Sequence, residues 1–132
     1  MFLQRFCLIS LFAVSTSMAV FAQATSKATP LMSKDLKGIP GKEGVMLTVE
    51  YPPGVASASH RHNASTFVYV LEGSVVMAVK GGKEMTLNPG DTFYESPDDI
   101  HSVSRNASAT KPAKILVFFV KEKGAPASVP AQ

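Results

Sequence analysis

The stretch His60-Arg61-His62-Asn63-Ala64-Ser65-Thr66-Phe67-Val68-Tyr69-Val70-Leu71-Glu72-Gly73 decides how the rest of the chain is read. Its second half, Phe67 to Leu71, is a run of aromatic and β-branched residues, the composition of a strand. Glu72-Gly73 closes that strand with a turn in which Gly73 can take positive φ. In the first half, an extended backbone turns His60 and His62 to one face, because side chains alternate along a strand. The chain has three histidines, and the third, His101, lies about forty residues further on in another strand-like segment. Two imidazoles on one face, joined by a third from a neighbouring strand, can make a three-nitrogen metal site.

Working outward, the same grammar repeats. Val45 to Tyr51 reads as a strand stopped by Pro52-Pro53-Gly54, and Ala58 to His62 as a second, followed by a turn at Asn63-Ala64-Ser65. Val75 to Val79 pairs back on Phe67–Leu71, Gly81-Gly82-Lys83 turns, and Glu84 to Leu87 is a short strand. Thr92 to Glu95, Ile100 to Ser104 and Lys114 to Lys121 complete the set, with a polar loop over 105–112. Short strands with turn signals every six to twelve residues or so, and no 3.6-residue periodicity, indicate an all-β sandwich or barrel.

The ends differ in character. Residues 1–22 hold one early charge, Arg5, and an apolar run from Phe6 to Val14, and they finish at Val20-Phe21-Ala22. This is the layout of a cleaved secretory signal; a membrane anchor is the rival, but the run is short and broken by Ser15-Thr16-Ser17. A periplasmic or secreted bacterial protein with no membrane attachment after cleavage is therefore expected. Cleavage also removes Cys7, the single cysteine, so the mature chain has neither disulfide nor thiolate chemistry. Residues 23–44 read as an extended lead-in with one short arm pairing to a sheet, 45–121 as the folded domain and 122–132 as a flexible Ala/Pro/Ser tail. The net charge is +3 with scattered lysines and no basic stripe, which argues against nucleic acid as a partner.

The motifs resemble the cupin superfamily, in its small single-domain form. Gly54, His60-Arg61-His62 and Phe67 to Gly73 look like the first cupin motif. Pro89-Gly90-Asp91-Thr92-Phe93-Tyr94, through Pro97 to His101 and Asn106, is similar to the second. The resemblance implies a jelly-roll β-barrel (a double-stranded β-helix) holding a metal through His60, His62 and His101. Where the family carries a glutamate as fourth ligand, four residues after the second histidine, this chain has Thr66. A hydroxyl is a poor ligand for a divalent ion. The implied centre therefore has three histidines and open positions, as in some cupin-type oxygenases, with Thr66 hydrogen-bonded to a metal-bound water. Ser96 and Asp98 also depart from the second motif, where proline and glycine are usual.

Nitrogen ligands suit Fe(II), which the oxygenase resemblance favours, and also Zn(II), Ni(II), Cu(II) and Mn(II). Either Tyr94 or Glu95 faces inward. An inward Glu95 is the candidate catalytic residue, as a base, a distant ligand or an acceptor for an imidazole N–H; a rim carboxylate in solvent is the alternative. Phe67, Tyr69, Met77, Phe93, Phe118 and Phe119 are candidates for a pocket lining, with core packing the default. Two functions fit: a metalloenzyme acting on a small molecule by dioxygenase-type or related chemistry, or a non-catalytic module binding a metal or small ligand. A homodimer paired through sheet faces or terminal strands is a further expectation from the family.

Overall fold

The computed structural model describes residues 24–131, so the expected signal segment lies outside the described residues. Ten strands follow in order: β1 (Lys27–Asp35), β2 (Lys42–Tyr51), β3 (His60–Arg61), β4 (Ala64–Glu72), β5 (Val75–Val79), β6 (Met85–Leu87), β7 (Thr92–Glu95), β8 (His101–Asn106), β9 (Ala113–Glu122) and β10 (Val129–Pro130). They form two five-stranded antiparallel sheets, ordered β1-β2-β9-β4-β7 and β10-β3-β8-β5-β6, the jelly roll expected from the sequence. Alternation builds its interior in layers. Leu47, Val117, Val68 and Phe93 are register partners across β2, β9, β4 and β7, and Val49, Ile115 and Val70 form the next row. Val75, Met77 and Leu87 meet them from the other sheet. Each such fully buried side chain is worth about 1.5–3 kcal/mol.

One row on, the same inner face changes character. Val45, Phe119, Thr66 and Glu95 are aligned there, opposite the point where His60 pairs with His101 in the other sheet. The polar end of the barrel thus follows from register alone. Two local devices hold the frame. The Asn106 amide donates to the carbonyls of Tyr51, Pro52 and Lys111, tying the ends of β2 and β9 to β8. Gly73 takes φ 67°, and a Cβ there would lie 2.4 Å from the Pro112 carbonyl oxygen, so the β4–β5 turn admits no side chain.

Three expectations change. Val75–Val79 does not pair back on Phe67–Leu71: the chain crosses between sheets at the β4–β5 turn, so β4 lies between β9 and β7 and β5 between β8 and β6. Asn63-Ala64-Ser65 is not a three-residue turn: Asn63 alone turns, at φ 49°, and Ala64 is already buried in β4. The expected N-terminal arm does form, as a nine-residue strand pairing with β2 from Lys27↔Glu50 to Asp35↔Glu43. Its residues are all exposed, so it is held by main-chain pairing and not by an apolar face, and an edge position tolerates Pro30. The tail, expected to be flexible, turns back to pair Val129 with Arg61 and Pro130 with His60. What holds it is a buried charge. The Lys121 ammonium, inward on β9, bonds its cross-strand partner Glu43 and the carbonyls of Glu122 and Ala125, while the Gly124 N–H donates to Glu43.

Lys121 first, then Gly124 and Ser33, hold the Glu43 carboxyl down from 4.5 to about 2. A carboxyl lowered in the fold contributes stability that is present above its ordinary value and lost as pH falls toward the lowered one. Glu43→Gln is therefore expected to speed amide exchange over residues 125–130 at neutral pH. It is also expected to remove the loss of protection, relative to intrinsic exchange, that the wild-type chain should undergo as pH falls from 4.5 to about 2. Hydrogen-exchange mass spectrometry reads both; unchanged exchange contradicts the clamp.

Candidate metal centre

His60 and His62 flank Arg61 on and just beyond β3, and His101 opens β8 directly opposite His60. The three side chains converge at the polar end of the barrel, with one ligand atom from each lying within 4.8 Å of the others. Their outer nitrogens are fixed by the backbone. His60 Nδ1 lies 2.8 Å from the Ala58 carbonyl oxygen and His62 Nδ1 2.8 Å from that of Ala127. A carbonyl only accepts, so each Nδ1 carries a hydrogen, and the tautomer so fixed leaves Nε2 as the nitrogen that faces inward and can bind a metal. Burial first of all pushes the His62 imidazole below its ordinary value, keeping it neutral.

The two Nε2 atoms face each other at 3.2 Å. With both lone pairs bare this approach is repulsive and with both protonated it is worse, while a single proton shared between them satisfies this pair but leaves Glu95 and His101 without a partner. A cation between them removes the conflict. Metal–nitrogen bonds of about 2.0–2.1 Å at ligand angles near 90–110° place neighbouring nitrogens roughly 2.8–3.4 Å apart. Packing holds the rings: Phe119 lies against His62 at a centroid distance of 4.9 Å, and Phe93 stacks on His101 at 5.9 Å.

Glu95 belongs to the same cluster. It is 1% exposed, with Oε1 3.2 Å from His101 Nδ1 and Oε2 3.7 Å from His62 Nε2. This settles the alternation on β7: Glu95 faces in and Tyr94 out, and the carboxylate is not at a solvent rim. Five buried side-chain polar atoms among the described residues have no hydrogen-bond partner. Four of them are both oxygens of Glu95 and both nitrogens of His101. Buried polar atoms are normally paired, so a concentration of orphans at one point is the mark of a cation site, and the residues fit a divalent metal. Thr66 is also fully buried, but its hydroxyl lies 3.4 Å from the Ala64 carbonyl oxygen and has no other partner.

From the cluster a cavity of 430 Å³ runs into the barrel. Its walls are mainly apolar, with Leu47, Val49, Val68, Met77, Ile115 and Val117 among them. A buried pair, Tyr51 Oη and Ser104 Oγ at 2.7 Å, adds a polar point, and burial raises the Tyr51 phenol so that it stays protonated. Of the aromatic and methionine candidates, Met77 and Phe119 line this cavity and Phe93 packs on the core. Phe67, Tyr69 and Phe118 lie on the outer face of the first sheet together with Tyr94. Sequence reasoning had no access to the tail: Ala127 to Pro130 form part of the cavity wall, and Ala127 orients a candidate ligand.

Residues 47–119 match the family described as the Cupin domain. The chain belongs to the cupin family. Solved structures similar to this cupin include the DMSP lyase DddQ from Ruegeria pomeroyi DSS-3, at 23% identity and a TM-score of 0.59 over 67% of this chain and 43% of that one. An uncharacterised double-stranded β-helix protein from Klebsiella pneumoniae is similar over 84% of this chain and 88% of its own, at 20% identity and a TM-score of 0.64. An oxalate oxidase in complex with the substrate analogue glycolate is 24% identical, with a TM-score of 0.60, over 79% of this chain and 54% of that one. This cupin thus spans less than half of the lyase chain and about half of the oxidase chain. No curated protein matches it.

Ending the chain at Ala125 keeps the Lys121 clamp but removes the carbonyl that orients His62. Loss of such an outer hydrogen bond is expected to weaken metal binding by about 10–100-fold. Competition with a chromophoric chelator measures this, and an unchanged affinity contradicts the role given to Ala127.

Proposed function

We propose that this cupin is an exported metalloenzyme in which His60, His62 and His101 hold one divalent transition metal, Fe(II) in first place. Its substrate is a small molecule with an apolar body and an oxygen-bearing end. The observation that carries the reading is the 3.2 Å approach of two bare imidazole nitrogens, each fixed by a backbone carbonyl on its far side. A metal held there supplies a Lewis acid or a redox centre, and a three-histidine site with open positions suits dioxygenase-type chemistry.

The chain's own residues bind and shield. The apolar wall takes the body of the substrate and leaves room only for a small one, since 430 Å³ is near the lower end of the usual range of about 300–1,000 Å³. Tyr51 and Ser104, three residues beyond His101 along β8, offer hydroxyls to a second polar group. The tail, with Ala127 and Ser128 in the cavity wall, limits access of water. Export rests on the sequence of residues 1–22. A homodimer is supported by the exposed aromatic face of Phe67 and Tyr94. Light scattering is expected to give a dimer for the wild-type chain and a monomer for Tyr94→Glu; a wild-type monomer contradicts it.

The functional reading is tested by oxygen uptake of the Fe(II)-loaded protein with a panel of diketones, thiols and flavonols. Turnover with at least one class, lost in His62→Ala, is the expected result. No turnover with any metal, together with ligand-induced thermal stabilisation, identifies a non-catalytic binding module instead.

A further inference from the structure

We infer that Glu95 is the fourth ligand of the metal centre: β7 supplies the carboxylate that β4 lacks at Thr66. This rests on the reading that the three histidines bind a metal.

Register makes the exchange of positions plausible in physical terms. Thr66 and Glu95 are direct partners on adjacent antiparallel strands and face the same interior. Side chains so paired start about 4.5–5.5 Å apart at Cβ, so either position can send a carboxylate toward the same point. Thr66 is too short and has no charge. Glu95 is long enough, and its two oxygens reach two different histidines, at 3.2 and 3.7 Å.

Other roles for Glu95 fit less well. An acceptor that merely orients His101 needs an aligned N–H···O bond. Although His101 Nδ1 is 3.2 Å away, the two groups are not so aligned, and all four of their polar atoms remain unpartnered. A cation placed among them satisfies the carboxylate and the imidazole at once. Nor does a protein cation balance the charge. Among the described residues, the only basic groups within 4 Å of Glu95 are His62 and His101, and the buried ammonium of Lys121 is already engaged by Glu43, Glu122 and Ala125. A buried carboxylate without a partner costs several kcal/mol, and a metal turns that cost into affinity. The centre so formed is three nitrogens and one oxygen, with one positive charge fewer than three neutral histidines would leave on a divalent ion.

The test uses the mature protein, Co(II) and Glu95→Gln, which keeps the shape and removes the charge. Three results are expected. Co(II) affinity falls by roughly 100-fold or more, beyond what loss of an outer hydrogen bond produces. The visible spectrum at saturating Co(II) changes, because a ligand has been replaced. The metal-free variant melts higher than the metal-free wild type, since an unpaired buried charge is gone. Equal affinity and an unchanged spectrum overturn the proposal while leaving the three-histidine reading intact. Failure of the wild type to take up Co(II) overturns that reading itself. A second measurement needs no variant: the metal-bound minus metal-free infrared difference spectrum of the wild type is expected to show a shifted carboxylate stretch. Its absence in a protein that binds Co(II) also rejects Glu95 as a ligand.

Discussion

Two imidazole nitrogens held 3.2 Å apart beside a buried carboxylate are the constraint around which this barrel is arranged. Neither histidine can relieve the contact by turning its ring, because each is held from behind by a carbonyl oxygen. Glu95 adds a negative charge with no hydrogen-bond donor. Folding such a cluster costs free energy that the core must offset, and a divalent cation is the one small species that satisfies every member together. Such a convergence of buried donors is what a preorganised metal centre requires.

The fold supplies the preorganisation through register. His60 and His101 are cross-strand partners in one sheet, and Thr66 and Glu95 are cross-strand partners in the other. A slip of one residue in either pairing would turn these groups out of the barrel and bring Arg61 or Tyr94 in. The apolar rows of Leu47, Val68 and Val117 and of Val49, Val70 and Ile115 make such slips expensive, so the hydrophobic core fixes the polar site. The tail contributes separately, reaching the site from the Lys121–Glu43 clamp.

The all-β class, most strand segments and the three histidines were legible in the sequence for physical reasons; the pairing was not, since β5 pairs with β8 and β6 and not with β4. Alternation puts His60 and His62 on one face, and the two motifs place His101 opposite. Other features needed pairing partners that lie far off in sequence. Whether Tyr94 or Glu95 faces in depends on the register of β7 against β4, which four residues do not specify. In β4, apolar residues occupy both faces, so Phe67 and Tyr69 could not be told from Val68 and Val70 by pattern. The first strand and the tail are poor in apolar residues and are held by main-chain pairing and by one buried lysine, neither of which composition reveals. Thr66 and Glu95 were both singled out in the sequence, but that they face each other across β4 and β7 came from the structure.

The central claim is that the histidine cluster is a metal site, and metal stoichiometry tests it most directly. Native mass spectrometry together with elemental analysis of the mature protein, purified without chelators, is predicted to show one divalent transition metal per chain in the wild type and none in the His60→Ala/His62→Ala double variant. A wild-type protein that carries no metal, and takes up none on reconstitution with Fe(II), Mn(II), Ni(II), Cu(II) or Zn(II), would contradict the account.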